Sequence, residues 1–279
     1  MVSHPLPVLA LSLCLSALAA AAQDIPAMPD AAVSDDMPPG LVSARLRPGW
    51  TDAAGNRVLA LELQLEPGWK TYWRSPGDTG LPPQFEWQGS RNLAEVTFHW
   101  PAPQAIRSGE RLEMGYHDSL LLPFTARPAD PGQPLQVAAQ VELGLCENIC
   151  VPVRLDLSAP EAGTVQDAQI LAARQAEPRR LDMQPPCRVL QIDDGLRVEV
   201  GLTGDDVTLA AVELPDRPDV WISGADLVEG QSGPQAVVEM VAPSGKPFEM
   251  DPEGLRLTVV SGQGPATQAV EMLGCTPIG

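Results

Sequence analysis

Two cysteines stand with three residues between them in "ELGLCENICVPVRL", Glu142 to Leu155, in a chain of 279 residues that holds five cysteines in all. Sulfurs this close in sequence can staple a loop, hold a soft metal together with further ligands, or cycle between dithiol and disulfide and so carry two electrons. Geometry narrows how Cys146 and Cys150 meet. On a regular helix, residues four apart have Cβ atoms about 5–6 Å apart, and a disulfide needs about 3.5–4.5 Å. Facing positions on antiparallel strands come nearer to that range. The connection Glu147-Asn148-Ile149 suits a hairpin in which Asn148 takes a left-handed conformation. Pro152 pushes Val151 toward extended backbone. The pair is therefore expected at the tip of two adjacent strands, on the rim of a sandwich. As a staple it gains little, because closing so short a loop removes little chain entropy. As a metal site it lacks ligands: His99, His117 and Met114 stand at no recognised spacing, and copper through Cys, Met and His is the form such a site would take. Spacing alone does not choose between staple and redox dithiol.

The elements that must hold this hairpin are strands. From Leu41, "LVSARLR", "RVLALELQLE" and "LQVAAQVELGL" alternate apolar and polar residues, the period of half-buried strands. Turn signals separate them: "PGW" at Pro48, "AAGN" at Ala53, "PGWK" at Pro67, "SPGDTGLPP" at Ser75 and "ADPGQP" at Ala129. Short strands at this spacing predict a β-sandwich over residues 41–160. Residues 161–180, with "EAGTVQDAQILAARQAEP", read as a partly helical linker. Strand texture returns in "RVLQIDDGLRVEVGL", "VTLAAVEL", "QAVVEMVA" and "LRLTVVSG", predicting a second, smaller β domain over 181–279. Cys187 and Cys275 bracket that domain, and closing so long a loop removes on the order of 4–5 kcal/mol of unfolded-state entropy. They are read as a structural disulfide. In "GWKTYW" the alternation sets Tyr72 and Trp73 on opposite faces, with at least one of them in the core.

Composition removes several function classes. Eighteen Lys+Arg against 36 Asp+Glu leave a formal charge of −18, a field that repels phosphate backbones and anionic lipid. Nucleic-acid binding is therefore not expected. Residues 1–22 read as a signal peptide, with the apolar run Val8 to Ala19 and small residues Ala20 and Ala22 before Gln23. Residues 23–40 read as a flexible arm. An exported chain without an 18-residue apolar stretch past the signal implies no membrane span in the mature chain. It also implies a compartment that permits disulfides. No phosphate-binding glycine loop, hydrolase elbow or paired-carboxylate signature is present, and no cofactor is called for.

"ELGLCENICVPV", together with "GWKTYWRSPGDTGLPPQFEW" (Gly68 to Trp87), "WPAPQAI" (Trp100 to Ile106) and "GYHDSLLLPF" (Gly115 to Phe124), resembles the amino-terminal periplasmic domain of the DsbD disulfide reductase family, in its ScsB-like, copper-tolerance variant. The resemblance covers roughly Leu41 to Pro160. It implies an immunoglobulin-like sandwich with Cys146 and Cys150 as a redox pair on neighbouring strands. The pair would take electrons from a membrane-embedded donor through a thioredoxin-like domain. It would hand them to periplasmic disulfide isomerases, cytochrome-maturation thioredoxins or related thioredoxin-like proteins. By motif position Cys150 forms the mixed disulfide and Cys146 resolves it. The family shields its cysteines with a cap loop, and "LEMGYHDS" (Leu112 to Ser119) falls at that place, with Met114 and Tyr116 as covers. The chain lacks the family's membrane and thioredoxin-like domains, so the electron donor is expected to be another protein. The alternative from another class is a non-enzymatic copper-binding or chaperone-like sandwich in which Cys146–Cys150 is a structural disulfide.

Overall fold

The protein is described by a computed structural model, covering Met1 and residues 37–278 apart from 110, 205, 231–232 and 263–266. The predicted signal peptide and most of the predicted arm lie outside the described residues. The fold is all-β.

The first half contributes β1 (Leu41–Thr51), β2 (Arg57–Leu65), β3 (Lys70–Tyr72), β4 (Gln84–Glu86), β5 (Leu93–Phe98), β6 (Gln104–Ser108), β7 (Arg111–His117), β8 (Ser119–Pro128), β9 (Ala138–Cys146) and β10 (Cys150–Ser158). They build two sheets, ordered β1-β2-β8-β5 and β10-β9-β3-β7-β6, with β4 also paired to β9. Every pairing in these two sheets is antiparallel. The period-two pattern explains the packing. Along β9, Val141, Leu143 and Leu145 enter the core between the sheets, where Trp73, Leu122 and Phe124 also lie. The alternate residues Gly144 and Cys146 turn to the opposite face.

One predicted turn is something else. Pro48 and Gly49 lie inside β1, where the register with β2 shifts between Arg47 and Trp50. This is a β-bulge. Gly49 has φ +58 and a Cβ there would overlap the Val58 carbonyl, so only glycine lets the two backbones meet.

The helix α1 (Ala168–Gln175) is capped by Asp167, whose carboxylate accepts the backbone N–H groups of Gln169 and Ile170. It is more than a linker. Ile170 is fully buried beside Trp50, Val58 and Ala60, on the outer face of the first sheet. Arg47 of β1 donates to Asp167 at 2.5 Å and to Gln169 at 2.7 Å. A single buried side chain docks the helix, which is why no apolar stripe announces it.

The second half contributes β11 (Arg179–Arg180), β12 (Pro186–Ile192), β13 (Gly195–Gly201), β14 (Val207–Glu213), β15 (Trp221–Ile222), β16 (Asp226–Gly230), β17 (Gly233–Val241), β18 (Arg256–Ser261), β19 (Gln268–Leu273) and β20 (Thr276–Pro277). Its sheets run β11-β19-β18-β14 and β15-β17-β13-β12-β20, with β16 on β17. Cys187 on β12 is bonded to Cys275 just before β20, both buried, with Cα atoms 5.7 Å apart. The two halves share apolar contact: Ala211, Val260 and Ala269 of the second join the core cluster of the first.

Candidate functional site

Cys146 ends β9 and Cys150 begins β10, and the two are direct partners in the antiparallel register. Their Cα atoms are 4.2 Å apart and their sulfurs are bonded. So close a Cα pair is the non-hydrogen-bonded kind, in which side chains approach most nearly. Pro152 faces Gly144 two residues further along the same ladder, hence also at a non-hydrogen-bonded position. Its missing N–H would have pointed away from β9, so proline costs no ladder bond on this edge strand. The turn itself differs from the sequence expectation. Among the described residues, the non-glycines with positive φ are Asn92, Asp118 and Asp206, so Asn148 takes ordinary backbone. The Glu147 N–H donates to the Ile149 carbonyl at 3.3 Å and closes the tip.

The two sulfurs differ in access. Cys146 is 1% exposed, whereas Cys150 lies at the surface beside Ile149, which is 71% exposed. A visiting sulfur can therefore approach Cys150 and not Cys146.

The residue that completes the site is Tyr72. Trp73 points into the core and Tyr72 to the other face, as the alternation requires. The Tyr72 hydroxyl donates to Cys146 Sγ at 3.0 Å and lies 3.3 Å from Cys150 Sγ. Its ring sits where Gly144 leaves room, since a Cβ on Gly144 would come 3.2 Å from Tyr72 Cε2 and 2.8 Å from Leu81 Cβ. Burial pushes the Tyr72 phenol up to about 12, with the Glu113 carboxylate as the second cause. It stays protonated through the neutral range and remains a donor. Beside it, Lys70 and Glu113 form an ion pair at 2.5 Å, with side chains 5% and 3% exposed. The Thr79 hydroxyl occupies the other Glu113 oxygen.

Met114 and Tyr116 are not covers. They stand on the face of β7 that enters the core, and the Tyr116 hydroxyl donates to the Pro101 carbonyl at 2.8 Å. The register explains why: Tyr116 opposes Thr71, so both point away from the face that carries Tyr72 and Cys146. The segment over that face is instead the loop after β3, where Gly80 lies so near Tyr72 that a Cβ would come 2.9 Å from Cδ1. His99 is held by Thr125 at 2.9 Å and Glu177 at 3.2 Å. Among the described residues no three His, Cys, Asp or Glu side chains gather as a metal site would require.

Residues 43–162 match the family model of the N-terminal domain of thiol:disulfide interchange protein DsbD. This segment is a DsbD N-terminal-like domain. It occupies less than half of the 279-residue chain. A solved structure, the N-terminal periplasmic domain of ScsB from Proteus mirabilis, matches with a TM-score of 0.55 at 20% identity. That match covers 84% of this chain and 92% of the other, so the likeness in fold reaches into the second sandwich. No curated protein sequence matches the chain.

Loss of the Tyr72 hydroxyl has a measurable consequence. A hydrogen bond to a charged group contributes about 1.5–3 kcal/mol, and about 1.4 kcal/mol is a factor of ten in thiolate population. A more basic thiolate is also a better nucleophile, which returns part of that loss. With Cys146→Ala leaving Cys150 free, Tyr72→Phe is expected to slow iodoacetamide alkylation of Cys150 at pH 7 by about threefold to tenfold. The rate–pH curve should move to higher pH. An unchanged curve would remove Tyr72 from the site.

Proposed function

We propose that the DsbD N-terminal-like domain is a periplasmic thiol–disulfide exchange module, in which the Cys146–Cys150 pair passes electrons from a membrane-embedded reductase to periplasmic disulfide proteins. The observation that carries this reading is the asymmetry of the pair: one cysteine exposed at a hairpin tip, its partner buried, and one hydroxyl against both sulfurs. The DsbD family match supports it, as does the likeness in fold to a periplasmic domain. Disulfide isomerases and thioredoxin-like proteins are the partner class. Among the described residues no helix is long and apolar enough to cross a membrane.

The chemistry follows from access. In the reduced form the Cys150 thiolate attacks one sulfur of the partner's disulfide, and the partner's second sulfur leaves as a thiolate and takes up a proton. The protein and its partner are then joined through Cys150. Cys146 loses its proton and attacks Cys150 Sγ, which forms the Cys146–Cys150 bond and releases the partner's other thiolate. Two electrons have moved from this pair to the partner. The donor restores the dithiol by the same steps in reverse. The Tyr72 O–H serves either sulfur while it carries negative charge.

The test is the midpoint potential of Cys146–Cys150, measured in glutathione or dithiothreitol buffers with the Cys187–Cys275 bond monitored separately. Exchange work places it above about −300 mV, whereas a structural staple lies below. A strongly reducing value would replace this reading with that of a structural disulfide.

A further inference from the structure

The second sandwich makes no sulfur chemistry of its own in the reading above, yet it grips the loop that covers Tyr72. This loop, Arg74 to Pro83 ("RSPGDTGLPP"), crosses the outer face of the sheet that bears the cysteines. On its inner side Pro76 accepts the Met114 N–H at 3.1 Å, Thr79 bonds Glu113, and Gly80 and Leu81 close on the Tyr72 ring and on Gly144. Tyr72 is left almost wholly buried. On its outer side the loop is held at two points. The Arg74 guanidinium, stacked 4.0 Å from the Trp73 ring, makes three bonds of 3.0–3.2 Å to Glu213 on β14 and one of 2.8 Å to Glu271 on β19. The Asp78 carboxylate accepts the backbone N–H of Gly224 and lies 3.5 Å from Arg111.

Apart from the Pro76 carbonyl bonded to β7, this ten-residue segment with three prolines and two glycines belongs to no strand, so its side-chain anchors do much to decide where it rests. Charge-assisted, forked bonds such as those of Arg74 are the strong and geometrically specific kind. The chain of contact is continuous: Glu213 and Glu271 to Arg74, the Gly224 N–H to Asp78, then the loop, then the Tyr72 ring, then both sulfurs.

We propose that the second sandwich is the positioning element of the redox centre, with Arg74 and Asp78 as positioning residues that keep the loop closed and the Tyr72 hydroxyl seated on Cys146 and Cys150. Its meaning for electron transfer rests on the exchange reading, but its test does not use a redox partner. In the full chain carrying Cys146→Ala, Cys150 is a free thiol and the Cys187–Cys275 bond stays intact. Iodoacetamide alkylation of Cys150 is followed against pH. Asp78→Ala, at a side chain 41% exposed, and the double variant Glu213→Gln/Glu271→Gln are expected to slow alkylation at pH 7 by roughly twofold to tenfold. Asp78→Asn keeps an oxygen for the Gly224 N–H and should restore the parent rate. In a Tyr72→Phe background neither change should slow the reaction further, because the hydroxyl they position is gone. Parent rates in both Asp78→Ala and the double variant would overturn the proposal. Equal slowing with and without the Tyr72 hydroxyl would also overturn it. Failure of electron transfer with normal coupling in this assay would instead count against the exchange reading alone.

Discussion

Cys146→Ala is expected to remain joined to an oxidised thioredoxin-like partner through Cys150, whereas Cys150→Ala is expected to form no such adduct and to lose transfer altogether. The asymmetry follows from access. Of the two cysteines only Cys150 is exposed, and Cys146 is buried with the Tyr72 hydroxyl against it. Thiol–disulfide exchange needs the attacking sulfur in line with the disulfide it breaks, so a buried sulfur can resolve an adduct already formed next to it but cannot begin one. Without Cys146 nothing attacks Cys150 Sγ, and the mixed disulfide persists. Non-reducing electrophoresis and mass spectrometry of the adduct give the answer. An adduct from Cys150→Ala and none from Cys146→Ala would reverse the two roles. Adducts from neither would leave the pair without exchange chemistry.

Lys70→Met is expected to destabilise the fold by about 3–5 kcal/mol, because it leaves the Glu113 carboxylate buried with no counter-charge. The pair is almost fully enclosed, at 5% and 3% exposure, on the sheet face shared with Tyr72 and beneath the loop after β3. Burying two charges costs several kcal/mol per ion before their attraction offsets it, so the pair itself adds little net stability. Breaking it is the expensive change. The double variant Lys70→Met/Glu113→Leu should therefore recover most of the loss. Urea unfolding with both disulfides intact measures it. A single variant within about 1 kcal/mol of the parent would mean that water already reaches Glu113.

Much of this was readable along the chain. Alternation in "RVLALELQLE" and "LQVAAQVELGL" became β2 and β9, and the second-half runs became β12, β13, β14, β17 and β18. The hairpin joining Cys146 to Cys150 was expected from the four-residue offset and Pro152. Other features were not readable. "PGW" carries the residues of a turn and forms a bulge, because proline and glycine serve both and only the register of the neighbouring strand separates them. The place of Met114 and Tyr116 in the cap motif does not say which face of the strand they take. Which face of a strand points at the core depends on which residue it pairs with, and a one-residue change of register reverses it.

The sequence by itself determined that strands form, that Cys146 and Cys150 share a hairpin tip, and that Tyr72 and Trp73 part to opposite faces. These are local matters, set by side-chain period, turn chemistry and the reach of a few residues of chain. Only the tertiary structure decided which sulfur is buried, that Tyr72 is the residue touching both, and that Glu113 lies against Lys70. It also decided that Glu213 and Glu271, far along the chain, reach Arg74 beside the site. Those contacts join residues separated by tens to nearly two hundred positions. Their partners are fixed by sheet order and by how one sandwich leans on the other, and no pattern within a single strand encodes that choice.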